Sequence, residues 1–318
     1  MRHEVSLYVG EALGKYGFPG GHPFGPDRQD AFLKEALKQK LDSEVLVCES
    51  RAAAREEIER FHTPEHVERV ATLSEIGAGY IDYGDTPAYP GVFEASSAVV
   101  GSALAGLERV MSGECLRTFQ PIGGLHHARR GTAAGFCVFN DCSVVVDTLR
   151  KKYGVRRIAY VDIDVHHGDG VFYPFEYDPD VIVVDIHEDG NYLYPGTGHA
   201  YETGKGEAEG RKLNIPMEPG AGDKEFFKQW ERAVDHLTRH RPEFIVLQCG
   251  ADSLAGDPLA HLRYTPAAHA RAAKSLCRLA NEMAQGRIVG FGGGGYHRGN
   301  LAAAWCAVLR EFIRGSES

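Results

Sequence analysis

Four stretches of this chain, 158–162, 181–186, 244–248 and 287–291, are short, largely apolar and run directly into polar or glycine residues. Apolar runs of this length fill strands buried on both faces of a parallel sheet. Between them lie segments with helical periodicity. Residues 224–238 carry a stripe of Phe226, Phe227, Trp230, Ala233, Val234 and Leu237, 266–285 opens on Pro266, and 300–312 closes the chain. Residues 92–111 form a long helical pattern rich in Ala, Ser and Gly, suited to close packing. Shorter strands are expected at 4–9, 44–48 and 213–216, and helices at 52–59, 64–75 and 143–153. A further helix runs through residue 40 with Phe32, Leu33, Ala36 and Leu37 on one side. This alternation predicts an α/β fold, an open, mostly parallel sheet flanked by helices, with ligands bound at the carboxyl ends of the strands. No repeat or linker interrupts it, so residues 1–318 read as one domain.

The formal charge is −9, and no basic stripe stands out, which argues against a nucleic-acid partner. The densest basic group, Arg150, Lys151, Lys152, Arg156 and Arg157, reads as a solvated helix end. Seven cysteines without a CxxC spacing suit a reducing cytosol. With no apolar run of membrane-spanning length, the expectation is a cytoplasmic protein without a membrane partner. Loop 77–91, with Asp82, Asp85 and three tyrosines, is either a binding rim or a surface excursion. The oligomeric state is left open, a homodimer included.

Chemistry concentrates where the first of the apolar runs ends. Asp162, Asp164 and His166 recur with period two, so an extended chain puts them on one face. Carboxylates and an imidazole buried together must be paired or bound to metal, and oxygen plus nitrogen ligation suits zinc or another divalent transition ion. A second passage places His126 and His127 behind Gly123 and Gly124, outside any amphipathic pattern. Asp252 follows the run 244–248, and Tyr296 follows four glycines, 292–295, that lack the lysine and serine or threonine of a nucleotide-binding loop. His62 and His66 lie in polar surroundings and read as surface residues; Cys137 reads as packing, and His187 as structural.

The motifs in order are His22-Pro23 with Arg28, Gly124 to Ala128, Gly135-Phe136-Cys137, Val161 to Gly170, Tyr194 to Gly198, Gln248 to Pro258 and Gly292 to Tyr296. In this sequence they resemble the histone deacetylase superfamily, including its bacterial acetoin-utilisation and acetylpolyamine-amidohydrolase branches, whose fold is shared with arginase. The resemblance implies zinc ligands Asp164, His166 and Asp252, with ferrous iron as the alternative ion. It implies catalytic roles for His126, His127 and Tyr296, with Asp162 and Asp169 orienting the two histidines. Phe136 and Tyr194, with Gly135 beside them, would line an acyl-lysine channel; position 194 is phenylalanine in many relatives. Asp85 would be a rim residue gripping substrate backbone, and Arg28 would line a cavity beneath the metal. Leu259 takes a channel position that is glutamate in polyamine-specific relatives. A structural K+ or Na+ would use oxygens of Asp162, Asp164, His166, Asp185 and Ile186, although residue 185 is serine in many relatives.

The implied reaction is hydrolysis of an N-acyl amide to acetate and an amine. Three protein ligands leave room for water and a carbonyl oxygen, and two imidazoles can move protons to and from water and the leaving amine. Acetylated lysine in a protein or peptide is the expected substrate, with an acetylpolyamine or another small acetylated amine as the runner-up. An arginase-like binuclear centre lacks the carboxylates it would need around His126 and His127. A non-catalytic acyl-binding relative would be favoured had one of the histidines or Tyr296 been lost, and none is.

Overall fold

The computed structural model describes residues 4–315. Eight strands, β1 (Val5–Val9), β2 (Leu46–Glu49), β3 (Arg117–Gln120), β4 (Ile158–Asp162), β5 (Val181–Glu188), β6 (Lys212–Met217), β7 (Phe244–Gln248) and β8 (Ile288–Phe291), form one sheet. Its order is β2-β1-β3-β8-β7-β4-β5-β6, and every pairing is parallel. Because side chains alternate across a strand, each strand feeds two cores. Ala159 and Val161 face a layer that includes Phe32, Trp230, Leu276 and Trp305. Ile158 and Tyr160 face a layer that includes Val67, Val99, Leu104 and Val145. Helices Arg28–Lys38, Asp223–His240, Pro266–Met283 and Arg298–Arg314 therefore cover one face, and Pro64–Ile76, Val92–Met111 and Asp141–Lys151 the other. Burying each large apolar side chain contributes about 1.5–3 kcal/mol, and both layers are continuous.

Helix starts follow local chemistry. The Thr63 hydroxyl accepts from the His66 amide with Pro64 in the first turn, and the helix ends on Gly77 at φ 67°. The Asn140 side chain accepts from Ser143 N at 2.8 Å to start the helix behind the His126–His127 passage. At the far side of the sheet, Trp305 Nε1 donates to Cys249 O (3.1 Å) and Gly292 O (2.9 Å), joining the segments that leave β7 and β8.

Several expectations need correction. Strand β3 was not foreseen, because Arg-Thr-Phe-Gln holds a single apolar residue. All of these side chains are nevertheless buried, and Arg117 donates to Phe312 O at 3.2 Å. Strand β5 extends two residues past the expected 186, and the polar ends are satisfied inside: buried Glu188 accepts from His261 Nδ1 at 2.7 Å and its amide at 2.8 Å. Leu37 is 57% exposed, while Arg28 on the same helix is fully buried. His62 and His66 are not surface residues: both are buried, His62 Nε2 accepting from Asn140 N (2.8 Å) and His66 Nε2 donating to Val138 O (2.9 Å). Their polar sequence neighbours face solvent while the rings pack against Phe139, His62 tilted and His66 edge-on. The seven cysteines are free, and no helix among the described residues is long and apolar enough to cross a membrane.

Candidate active site

Strands β3, β8, β7 and β4 are adjacent in the centre of the sheet, and the residues of interest leave their carboxyl ends. The strand β4 ends at Asp162, so the period-two face is broken there. Asp164 and His166 lie on the loop beyond, and Asp162 turns away to another partner. Asp164, His166 and Asp252 are all buried, each with a ligand atom within 4.8 Å of the others. His166 Nδ1 lies 3.1 Å from Asp164 Oδ1 and 3.3 Å from Asp252 Oδ2. Asp252 Oδ2 is buried and, apart from that ionic contact with His166, has no hydrogen-bond partner. A buried carboxylate oxygen left unpaired is expensive, and burial together with the Asp164 charge lifts the Asp252 carboxyl to about 7. The donor chemistry and this orphaned oxygen fit a divalent ion held by the three side chains.

Neighbouring backbone comes unusually close to the cluster. Gly294 N donates to Asp164 Oδ2 at 2.8 Å, and Gln248 Nε2 does the same at 2.8 Å. A Cβ at Gly294 would fall inside the Asp252 carboxylate and 2.9 Å from Asp164 Oδ2, so glycine there is a requirement of space. Arg28 lies under this glycine turn, donating to Gly293 O at 2.6 Å and Gly295 O at 3.0 Å, its guanidinium 3.8 Å from the centre of the Phe24 ring.

The two histidines face the same space. His126 Nδ1 donates to Asp162 Oδ2 at 2.8 Å, and His127 Nδ1 to Asp169 Oδ1 at 2.7 Å, so each Nε2 is turned toward the cavity. Asp162 Oδ2 also receives the Tyr160 hydroxyl. Asp169 is anchored a second time by Arg129 Nη2 at 2.8 Å. Without a metal ion the pair is driven apart. Burial depresses the His126 imidazolium, but the Asp162 and Asp164 carboxylates outweigh it and hold the group at about 9. Burial and the charge on His126 push His127 down to about 4, against the pull of Asp169. In the absence of an ion the two rings, with centroids 4.1 Å apart, are thus biased in opposite directions.

His126, His127, Asp164, His166, Gly135 and Tyr296 line one narrow cavity. Burial, with Asp252 and Asp164 nearby, keeps the Tyr296 phenol well above its usual range, so it stays a proton donor. Asp257 Oδ2 fixes the Tyr296 amide at 2.8 Å. Phe136 stands edge-on to Tyr296 at 6.0 Å and Tyr194 edge-on to His127 at 5.1 Å. Gly135 lies between Tyr194 and His127, close enough that a Cβ would meet both rings. Outside, Asp85 shares a groove with Asp82, Tyr83, Gly135 and Tyr194. Leu259, 37% exposed, lines neither the cavity nor this groove. Asp185 pairs in register with Asp162 across β4 and β5, but its oxygens already receive His187 Nδ1 (2.6 Å) and Gly168 N (2.9 Å). Ile186 follows on β5, buried. Cys137 is buried, and burial pushes its thiol far up, as suits a packing residue.

Sequence reasoning missed four supporting residues. Asp141 accepts from the Gly124 and Leu125 amides, both at 2.8 Å, and so shapes the turn before His126. Gln248 and Arg129 hold Asp164 and Asp169 as described. The Thr86 hydroxyl accepts from Phe136 N at 3.2 Å, tying the rim loop to the channel wall. Gln248 had a signal, a polar residue closing an apolar run; the others had none.

A profile of the histone deacetylase domain matches residues 22–312. Acetoin utilization protein AcuC of Bacillus subtilis (strain 168) is 36% identical over 327 residues, covering 99% of this chain and 81% of that protein. Histone deacetylase 8 of Xenopus tropicalis is 33% identical over 273 residues, covering 83% of this chain and 72% of that protein. The chain belongs to the histone deacetylase family. Among solved structures, the crystal structure of the HDA15 HD domain superposes with a TM-score of 0.91 at 27% identity, covering 99% of this chain and 89% of that one. A histone deacetylase fold around a buried Asp-His-Asp cluster identifies the protein as a metal-dependent amidohydrolase, a deacylase in the general sense.

Proposed function

We propose that this deacylase removes acetyl from the side chain of acetyl-lysine in a peptide or protein, with zinc as its ion and residues 1–318 as one catalytic unit. The observation that carries the reading is the convergence of His126, His127, Asp164, His166 and Tyr296 on one narrow cavity. Phe136, edge-on to Tyr296, and Tyr194, edge-on to His127 in the outer groove, would flank a slot suited to an unbranched aliphatic arm, and the Asp85 carboxylate outside suits backbone amides or a cation. Burial and the neighbouring Asp82 hold the Asp85 carboxyl up at about 6, so at neutral pH it is chiefly an ionised acceptor.

A divalent ion held by Asp164, His166 and Asp252 would polarise the amide carbonyl and acidify water. His127, neutral and fixed through Nδ1 by Asp169, takes the proton from the attacking water at Nε2. Tyr296 donates its phenolic proton toward the oxygen on which negative charge develops. His127 then returns the proton to the nitrogen of the leaving amine. His126, held through Nδ1 by Asp162 at 2.8 Å, would add positive potential beside the reacting amide when protonated.

The test is kcat/KM on a panel of acetyl-lysine peptides, acetylpolyamines and small N-acetyl compounds, with zinc-loaded, ferrous-loaded and chelated protein, scored by acetate released. Highest efficiency on the peptides with zinc is expected. A preference for acetylpolyamines would replace the substrate, and tight peptide binding with no acetate would replace the hydrolase by a binding module.

A further inference from the structure

Tyr296 reaches the narrow cavity from the end of a run of four glycines, and Gly295, directly before it, stands at φ +121°. Glycine is the residue least restrained about its own backbone, so the direction of the phenol depends on what holds the peptide groups around it. The preceding amides are held by the sheet end and the buried cluster. Gly292 N donates to Gln120 O (3.0 Å), Gly293 N to Gly123 O (2.9 Å) and Gly294 N to Asp164 Oδ2 (2.8 Å). Tyr296 is held by two side chains. Its carbonyl accepts from Arg298 Nη1 at 3.0 Å, and its amide donates to Asp257 Oδ2 at 2.8 Å. Arg298 is partly exposed and divides its donors among Tyr296 O, Pro23 O and the Asp27 carboxylate. Asp257 is 7% exposed, and its other oxygen accepts from Leu259 N at 3.0 Å, so this buried carboxylate is committed to main-chain amides. Asp257 is itself registered to the cluster. Its amide donates to Leu254 O at 3.2 Å, Ser253 Oγ donates to Ile163 O at 3.3 Å, and Asp252 Oδ1 accepts from Val165 N at 3.1 Å. The five residues that follow Asp252 are thus fastened to the segment carrying Asp164 and His166. Through Asp257 they fasten Tyr296 as well.

We propose that Asp257 is a positioning residue: by holding the Tyr296 amide it sets the phenol against the substrate carbonyl, and its share in catalysis passes through that phenol alone. This rests on the deacylase reading above. A donor that matters only as charge develops lowers kcat and kcat/KM together when it is misplaced, and leaves KM unmoved. Because Asp257 acts through the phenol, removing its carboxylate cannot cost more than removing the phenolic hydroxyl.

The experiment is a double-mutant cycle on one acetyl-lysine peptide, with the wild type, Asp257→Ala, Tyr296→Phe and the double variant at saturating zinc. Asp257→Ala is expected to lower kcat about tenfold to a hundredfold, with KM within about twofold of the wild type. In the Tyr296→Phe background the same substitution should lower kcat by less than about twofold. An equal loss in both backgrounds, a loss larger than that of Tyr296→Phe, a loss carried by KM or an unchanged kcat overturns the proposal. Asp257→Asn, which keeps one acceptor oxygen, should recover part of kcat. If Asp257→Ala does not fold, Asp257→Asn takes its place in the cycle, with a smaller loss that again vanishes without the phenol. Amide hydrogen exchange at Tyr296, read by NMR, needs no turnover. Faster exchange there in Asp257→Ala, with strand β4 unchanged, supports the pin even if the wild type releases no acetate. Unchanged exchange at Tyr296 overturns it whatever the activity.

Discussion

Tyr296 enters the site as an uncharged phenol beside two buried carboxylates, which is what a donor to a developing oxyanion needs. Tyr296→Phe should lower kcat on an acetyl-lysine peptide by about 10²–10³, the equivalent of ~3–4 kcal/mol of transition-state stabilisation, with metal content and thermal midpoint retained. A variant that keeps wild-type kcat would remove the phenol from the chemistry. The residues most legible in the sequence were those whose chemistry clashes with their setting. Asp162, Asp164 and His166 follow an apolar run, and Asp252 follows another, so each had to be paired or ligated. Arg129, Thr86 and Asp141 gave no such sign, because each is an ordinary loop or helix-end residue until the fold brings it to Asp169, Phe136 or the Gly124 turn. His62 and His66 misled for the converse reason: polar neighbours in sequence say little about a helix whose opposite side packs on Phe139.

Among the elements, the glycine turn after β8 has little freedom to vary. Gly294→Ala would drive a methyl group into the Asp252 and Asp164 carboxylates, so the variant should bind zinc far more weakly while its sheet remains intact. Metal analysis after dialysis, alongside far-UV circular dichroism, checks this; a fully loaded variant would show that the turn can give way. Strands with long apolar runs were visible from sequence, β4 and β7 to the residue, because burial on both faces leaves little room for polar side chains. The polar strand β3 was not, since its membership depends on partners supplied by β1, β8 and the closing helix. Helix ends moved by one to three residues where capping rather than periodicity decides them, as at Asn140 and His297, whose side chains accept from Ser143 and Asn300 amides.

For the molecule as a whole, metal binding and stability are coupled through protons. In the metal-free protein burial lowers the His166 imidazolium, yet Asp164 and Asp252 hold it at about 10, against 6.5 for the free group, and His126 stands at about 9. A base raised by folding stabilises the fold below its unfolded value, and that stability is lost as pH climbs through the folded one. The stability these two histidines contribute to the metal-free protein should therefore be lost from about pH 6.5 to 10, whereas an ion that replaces the proton on His166 spares the loaded protein that residue's share. Melting curves of chelated and zinc-loaded protein should move apart as pH rises; curves that converge would refute the coupling. The parallel, doubly covered sheet was predictable from the spacing of apolar runs, but its strand order was not, since nothing local says that β8 and β7 lie between β3 and β4. That insertion bears on biosynthesis. A growing chain that has emerged only as far as residue 240 already carries both halves of the sheet, with β3 and β4 each missing a central neighbour, and it lacks Asp252 and Tyr296. Capture of the ion must then wait until Asp252 has been translated, and until β7 and β8 are made two hydrogen-bonding edges stand open to the wrong partner.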